Sequence, residues 1–219
     1  MNVDDIKNVP DSVNYLKDIF ERQTELIEKY HPIEHQVIGI ERLNILLSDP
    51  FNIDDPVVQL KIKEHLWRVV EEVAESFEVV HNNEDNFTHQ VEELSDALHF
   101  MVETMIMVKL SYSDVESLES LLDYYNYTDG EDQNNNLDSD HFMYNQVFYH
   151  IGIVGNCLKN KPWKRTQMRT DKIKFYSSIK DAYNNLIYLF IHLGLEPKDI
   201  YEIYFKKSEI NKFRQRSNY

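Results

Sequence analysis

Residues 64–100 read EHLWRVVEEVAESFEVVHNNEDNFTHQVEELSDALHF, and the fold turns on this stretch. Glu72 and Glu75 stand three apart, with Glu71 one step earlier. Glu93 and Asp96 repeat the spacing, with His99 and Phe100 one turn on. Residues three apart share one face of an α-helix. Apolar residues recur at helical spacing around both pairs: Leu66, Trp67, Val70, Val73, Ala74, Phe77 and Val80, then Leu94, Ala97, Leu98, Met101, Val102 and Met105. Two amphipathic helices follow, with the acids bordering the apolar stripes. The polar break HNNEDNFTH between them is nine residues long. A link that short makes the helices antiparallel neighbours, so that four carboxylates converge. A hard divalent cation neutralises such a set well. Either acidic pair taken alone also reads as a solvated helix face.

The rest of the chain fits an all-α protein. Its 219 residues hold only five glycines and six prolines, with no proline between Pro56 and Pro162. Long helices in one domain, an antiparallel helical bundle, are the expected architecture. One cysteine, Cys157, excludes an intrachain disulfide and fits a reducing compartment. The opening MNVDDIKNVP lacks the basic and apolar regions of a signal peptide, and the apolar run at 186–195 is too short to span a bilayer. The expectation is a cytoplasmic protein that engages no membrane. The net charge of −15 argues against nucleic-acid binding. Residues 159–219 nevertheless carry a net +8. An acidic front and a basic tail suit a site with metal on one side and phosphate on the other.

Flanking segments add further candidates. Asp11 or Ser12 can cap a first helix that stops before Pro32, with Val13, Leu16, Phe20, Ile27 and Tyr30 as its apolar stripe. Gln23 falls inside that stripe, where an inward amide needs partners, from the protein or from a nucleobase edge. A further helical segment spans residues 33–48, and Pro56 suits the first position of the next helix. Further helices are expected near 57–80, 88–109, 141–159, 170–193 and 198–214. Residues 111–140, rich in Asp and Asn, read as an acidic surface insertion, mobile around 128–140. The turn LKNKPWKRT offers Lys161 and Lys164 to phosphates or simply to solvent. On the last helix Lys207, Asn211 and Arg214 form one stripe that suits a nucleotide.

Together these pieces resemble the dimeric all-α dUTPases and phage dCTPase/dUTPases, a branch of the all-α, MazG-like nucleoside triphosphate pyrophosphatases. The E-x-x-E and E-x-x-D signature is matched by Glu72–Glu75 and Glu93–Asp96, and D-x-x-H-F by Asp96, His99 and Phe100. The N-K-P-W-K turn is matched at 160–164, and the K-x-x-x-N-x-x-R-Q…Y ending by Lys207, Asn211, Arg214, Gln215 and Tyr219. The family's amino-terminal glutamine is similar to Gln23. This chain departs from the family with Leu26 in place of a frequent Asn, with HNNEDNFTH in place of a tryptophan-rich stretch, and with Ser217-Asn218 in place of a glycine before the final tyrosine.

The resemblance implies hydrolysis of dUTP to dUMP and pyrophosphate by a homodimer, in the cytoplasm of the bacterial host if phage-encoded. It implies two or more Mg²⁺, with Mn²⁺ as a substitute, between Glu72, Glu75, Glu93, Asp96 and the phosphates. Glu71 or Glu72 would handle the attacking water. Gln23, His99 and Phe100 would meet base or sugar, and Lys161, Lys164, Lys207, Asn211, Arg214 and Tyr219 would complete the substrate site. dUDP, dCTP or a wider set of deoxynucleotides are alternative substrates, and a protein-binding regulator that keeps the fold is the non-enzymatic alternative. A di-iron carboxylate bundle needs Glu-x-x-His from two helices, and only Asp96-x-x-His99 is present.

Overall fold

A computed structural model describes residues 2–38, 51–82, 84–129 and 137–216. Seven α-helices and two 3₁₀ turns, with no strand, occur among them: α1 (Tyr15–Ile38), α2 (Pro56–His81), α3 (Phe87–Met107), α4 (Leu118–Asp129), α5 (Leu137–Cys157), α6 (Lys172–His192) and α7 (Pro197–Arg216). None of the described helices is long and apolar enough to cross a membrane.

Local chemistry sets the ends. Asp55 caps α2 by accepting from the amides of Val57 and Val58, with Pro56 at the first helical position, where its missing N–H costs nothing. Asn86 caps α3 and Asp171 caps α6 in the same way. Gly194 ends α6 at φ +87°, which lets the amide of Leu195 reach back to the carbonyl of Phe190.

The first helix corrects the sequence reading in three ways. Its cap is Asn14, whose Oδ1 accepts from the Lys17 amide; Ser12 instead accepts from the amide of Asn14, one step too early to start the helix. Val13 therefore precedes the helix and is fully exposed, while Leu16, Ile19, Phe20, Gln23 and Leu26 form the buried stripe. Helix α1 also continues past Pro32 to Ile38, since proline removes one backbone bond without forcing a stop. The rest of the helix expected over 33–48 lies outside the described residues.

The segment read as a surface insertion is partly core. Helix α4 packs on α6 and buries Leu118 and Leu121, and α5 begins at Leu137, earlier than its apolar spacing suggests. Residues 130–136, where mobility was expected, lie outside the described residues.

Two hairpins make the bundle: α2 packs along α3 and α5 along α6, with α2 also against α5 and α3 against α6. Helices α1 and α7 lie against each other and both contact α3. Their junction is polar: Arg22 donates to Glu209 and Ser208, Lys212 to Glu25, and the Arg22 guanidinium stacks 3.6 Å from the Phe205 ring centre. The α2–α3 pair is antiparallel, because Ser76 meets Gln90 and His65 meets Glu103, so rising numbers on α3 match falling numbers on α2. Trp67, assigned to the apolar stripe by spacing, is instead mostly exposed on the outer side of α2.

Candidate active site

The antiparallel crossing of α2 and α3 brings the acidic pairs together. Glu72 and Glu75 of α2 and Glu93 of α3 each offer a carboxylate oxygen within 4.8 Å of the others. Asp96, one turn on from Glu93, is held by Lys207 of α7 at 2.7 Å, and Glu92 stands 3.9 Å from the same ammonium. His89 Nδ1 lies 3.0 Å from Glu93 Oε1. Glu71 is turned away from this group, its Oε1 accepting from the Trp67 indole at 2.8 Å on the exposed side.

The cluster is short of positive charge. Burial, then the charge of Asp96, a hydrogen bond with Glu93 and the charges of Glu93 and Glu75 raise the Glu72 carboxyl to about 8. Burial likewise raises Glu93 and Asp96 despite the opposing pull of Lys207. Hard oxygen donors, half-buried at Glu72 and Glu93 and exposed at Glu75, whose mutual repulsion one lysine does not cancel are a donor set that suits a divalent cation such as Mg²⁺.

Beside the cluster opens a cavity of about 360 Å³, lined from four helices. Helix α1 gives Gln23, Leu26 and Tyr30; α2 gives Lys61, Glu64, His65, Arg68 and Glu72; α3 gives Asp96, His99, Phe100 and Glu103; α7 gives Asn211 and Arg214. One face of Phe100 is approached by the Arg68 guanidinium, 5.9 Å from the ring centre. At the floor, Gln23 Oε1 accepts from the Tyr204 hydroxyl at 2.7 Å and from His99 Nδ1 at 3.0 Å. Gln23 Nε2 donates to Glu103 Oε2 at 3.1 Å. The His99 ring lies 3.8 Å from that of Tyr204, and burial, with the charge of Lys207, lowers its pKa to about 3, so it is neutral.

Of the residues singled out in the sequence, Glu72, Asp96, Gln23, His99, Phe100, Asn211 and Arg214 line the cavity, and Glu75, Glu93 and Lys207 border it through the carboxylate cluster. Lys161 and Lys164 are not among the lining residues. Their turn is pinned to the start of α2 by the buried Asn160 and Gln59: the Asn160 amide donates to Gln59 Oε1, and its side chain bonds Asp54 and Met168. Tyr219 lies outside the described residues.

Sequence reasoning passed over Lys61, Glu64, His65, Arg68 and Glu103. The signal was there. Lys61, Glu64, Arg68 and Glu72 follow one helical stripe, and Glu103 continues the line of Asp96 and His99.

No curated protein and no solved structure matches the chain. A family model described as dUTPase matches residues 61–219, from the α2 wall of the cavity through the carboxylates to the last residue. The chain belongs to this dUTPase family, in its all-α form.

Proposed function

We propose that the protein hydrolyses dUTP to dUMP and pyrophosphate in a Mg²⁺-dependent reaction. The observation that carries this reading is the placing of two opposite chemistries on one cavity: carboxylates from α2 and α3 beside the Lys207–Asn211–Arg214 stripe of α7. Glu72, Glu75 and Glu93 would hold the cation, joined by Asp96 once Lys207 turns to phosphate. When bound, Mg²⁺ supplies neutralisation of phosphate charge and acidification of water.

The chain's own residues then divide the work. Arg214 offers a forked pair of donors to phosphate oxygens, and Asn211 an amide to a phosphate or sugar oxygen. Phe100 offers a flat ring to the base, with Arg68 above it. Water attacks the α-phosphorus, the bond to the bridging oxygen breaks, and pyrophosphate leaves with the bonding electrons. Glu72, which lines the cavity beside the other carboxylates, would orient that water and take its proton, whereas Glu71 is engaged by Trp67.

Exposed Leu60 and Trp67, seven apart on one side of α2, support assembly as a homodimer, which light scattering tests. The activity is tested by pyrophosphate release from each of dUTP, dUDP, dCTP, dTTP, dATP and dGTP, with and without Mg²⁺. Turnover of dUTP that stops on chelation supports the reading. Equal turnover of all nucleotides would replace it with a broad pyrophosphatase, and turnover of none would leave a binding protein.

A further inference from the structure

Gln23 sits at the centre of a buried set of hydrogen bonds, and its partners differ in kind. Tyr204 is a buried hydroxyl, able to donate or accept. His99 is a neutral imidazole that can carry its proton on either nitrogen. Both would serve a Gln23 amide turned either way round. Glu103 would not, because a carboxylate only accepts. With Glu103 Oε2 at 3.1 Å, the NH₂ end of Gln23 must face Glu103 and its carbonyl must face Tyr204 and His99. The reverse orientation sets an amide oxygen against a carboxylate oxygen inside a largely buried group. Glu103 is itself fixed from the other side, its Oε1 accepting from the buried His65 Nε2 at 3.1 Å.

This lock has a consequence for the cavity. Both lone pairs of Gln23 Oε1 are used, so the amide has no acceptor left to offer. One of its two N–H groups is spent on Glu103, and the other is spare. Gln23 lines the cavity as a donor only. At the 4-position, uracil carries a carbonyl that takes a donor, and cytosine an amino group that does not.

We infer that Glu103, held by His65, is a positioning residue that sets the base preference of the site: by fixing Gln23 as a donor, it makes the cavity accept the carbonyl of uracil and reject the amino group of cytosine. The inference rests on the pyrimidine nucleotide reading above. It goes beyond that reading in naming two residues from α2 and α3 that decide which pyrimidine is taken without being required to touch it.

The test has two arms. The first is the ratio of kcat/KM for dUTP to that for dCTP in the wild type and in Glu103→Gln. A glutamine at 103 can donate or accept, so the lock is released and the ratio falls tenfold or more, through a higher KM for dUTP and a gain with dCTP. An unchanged ratio overturns the inference, because a merely structural role would lower both values together. The second arm needs no turnover. Long-range proton–nitrogen NMR correlations of the wild-type histidine rings report which nitrogen of His99 carries the proton. Nδ1–H is expected in the wild type, with a shift toward Nε2–H in Glu103→Gln. A wild-type His99 protonated on Nε2 would mean that Gln23 faces the other way, and the inference fails. If neither nucleotide is hydrolysed but His99 is protonated on Nδ1, the dUTPase reading and the base preference fall while the lock on Gln23 stands.

Discussion

Lys207 Nζ lies 2.7 Å from Asp96 Oδ2, joining the last helix to the acidic pair of α3 in a largely buried contact. Breaking such a pair from one side strands the other charge, at a cost of roughly 3–5 kcal/mol. Lys207→Met should therefore lower the melting temperature of the metal-free protein by many degrees. Mg²⁺ should restore more stability to this variant than to the wild type, since a cation can replace the lost ammonium beside Asp96. Thermal melts of both proteins with and without Mg²⁺ check this.

Glu72→Gln, Glu75→Gln, Glu93→Gln and Asp96→Asn each keep the side-chain shape and remove one charge from a hard-oxygen cluster. Each should lower turnover of dUTP by about a hundredfold or more, a transition-state loss of roughly 2.7 kcal/mol. Helical content by circular dichroism should be unchanged. In metal-free protein above about pH 8, where Glu72 is ionised, Glu72→Gln, Glu75→Gln and Glu93→Gln should raise the melting temperature, because each relieves repulsion within the cluster.

The metal-free chain should lose stability as pH rises from about 6.5 to 8. Glu72 binds its proton up to about 8 in the folded chain but releases it in the ordinary carboxylate range when unfolded, so stability falls with rising pH across that window. Glu93 and Asp96, also raised, act in the same direction. His99, lowered to about 3, acts oppositely between about 3 and its ordinary 6.5, where only the unfolded chain takes the proton. Above 6.5 His99 no longer contributes, and Glu72 sets the direction. Melting temperatures across this range, with chelator and then with Mg²⁺, should show the decline and its suppression.

Arg214→Lys keeps the charge of the α7 stripe but loses the forked donor pair. A charge-assisted contact of this kind is worth roughly 1.5–3 kcal/mol, so kcat/KM for dUTP should fall by about ten- to a hundredfold. Folding should be unaffected, because Arg214 sits at the exposed end of its helix. Steady-state kinetics at fixed ionic strength, alongside a melt, separate the two effects.

Asn160→Ala removes a side chain that bonds the Asp54 carbonyl and both the carbonyl and the amide of Met168. Backbone groups left without partners cost roughly 1–3 kcal/mol each when buried, and less for part-buried ones such as these. The variant should be less stable by about 1–3 kcal/mol and should be cut faster by trypsin at the lysines and arginines of residues 159–169. A protease time course under native conditions tests the second point independently of the melt.

Much of this site was legible because helices convert spacing into geometry. Glu72, Glu75 and Glu93 converge as their intervals and one short link require. Gln23 was visible as a polar residue inside an apolar stripe. Its partners were not, because Glu103 and Tyr204 are 80 and 181 residues away and no local pattern pairs them. Trp67 and Val13 misled for a related reason. Spacing assigns a residue to a stripe, but only the neighbouring elements decide how wide the buried part of that stripe is. Helix α4 was missed because its Asp- and Asn-rich surroundings outweighed two buried leucines, Leu118 and Leu121.

The two sides of the cavity differ greatly in how far along the chain their parts must travel to meet. The α2–α3 carboxylates are brought together by one tight hairpin, whereas Gln23 joins Tyr204 only when opposite ends of the molecule have docked. Contacts close in sequence form sooner, since a short loop costs less entropy to close. During refolding the acidic hairpin should therefore gather before the Gln23–Tyr204 side of the cavity exists. The carboxylate cluster and the Gln23 floor of the cavity would then be assembled as separate events in time, the floor among the last parts of the molecule to form.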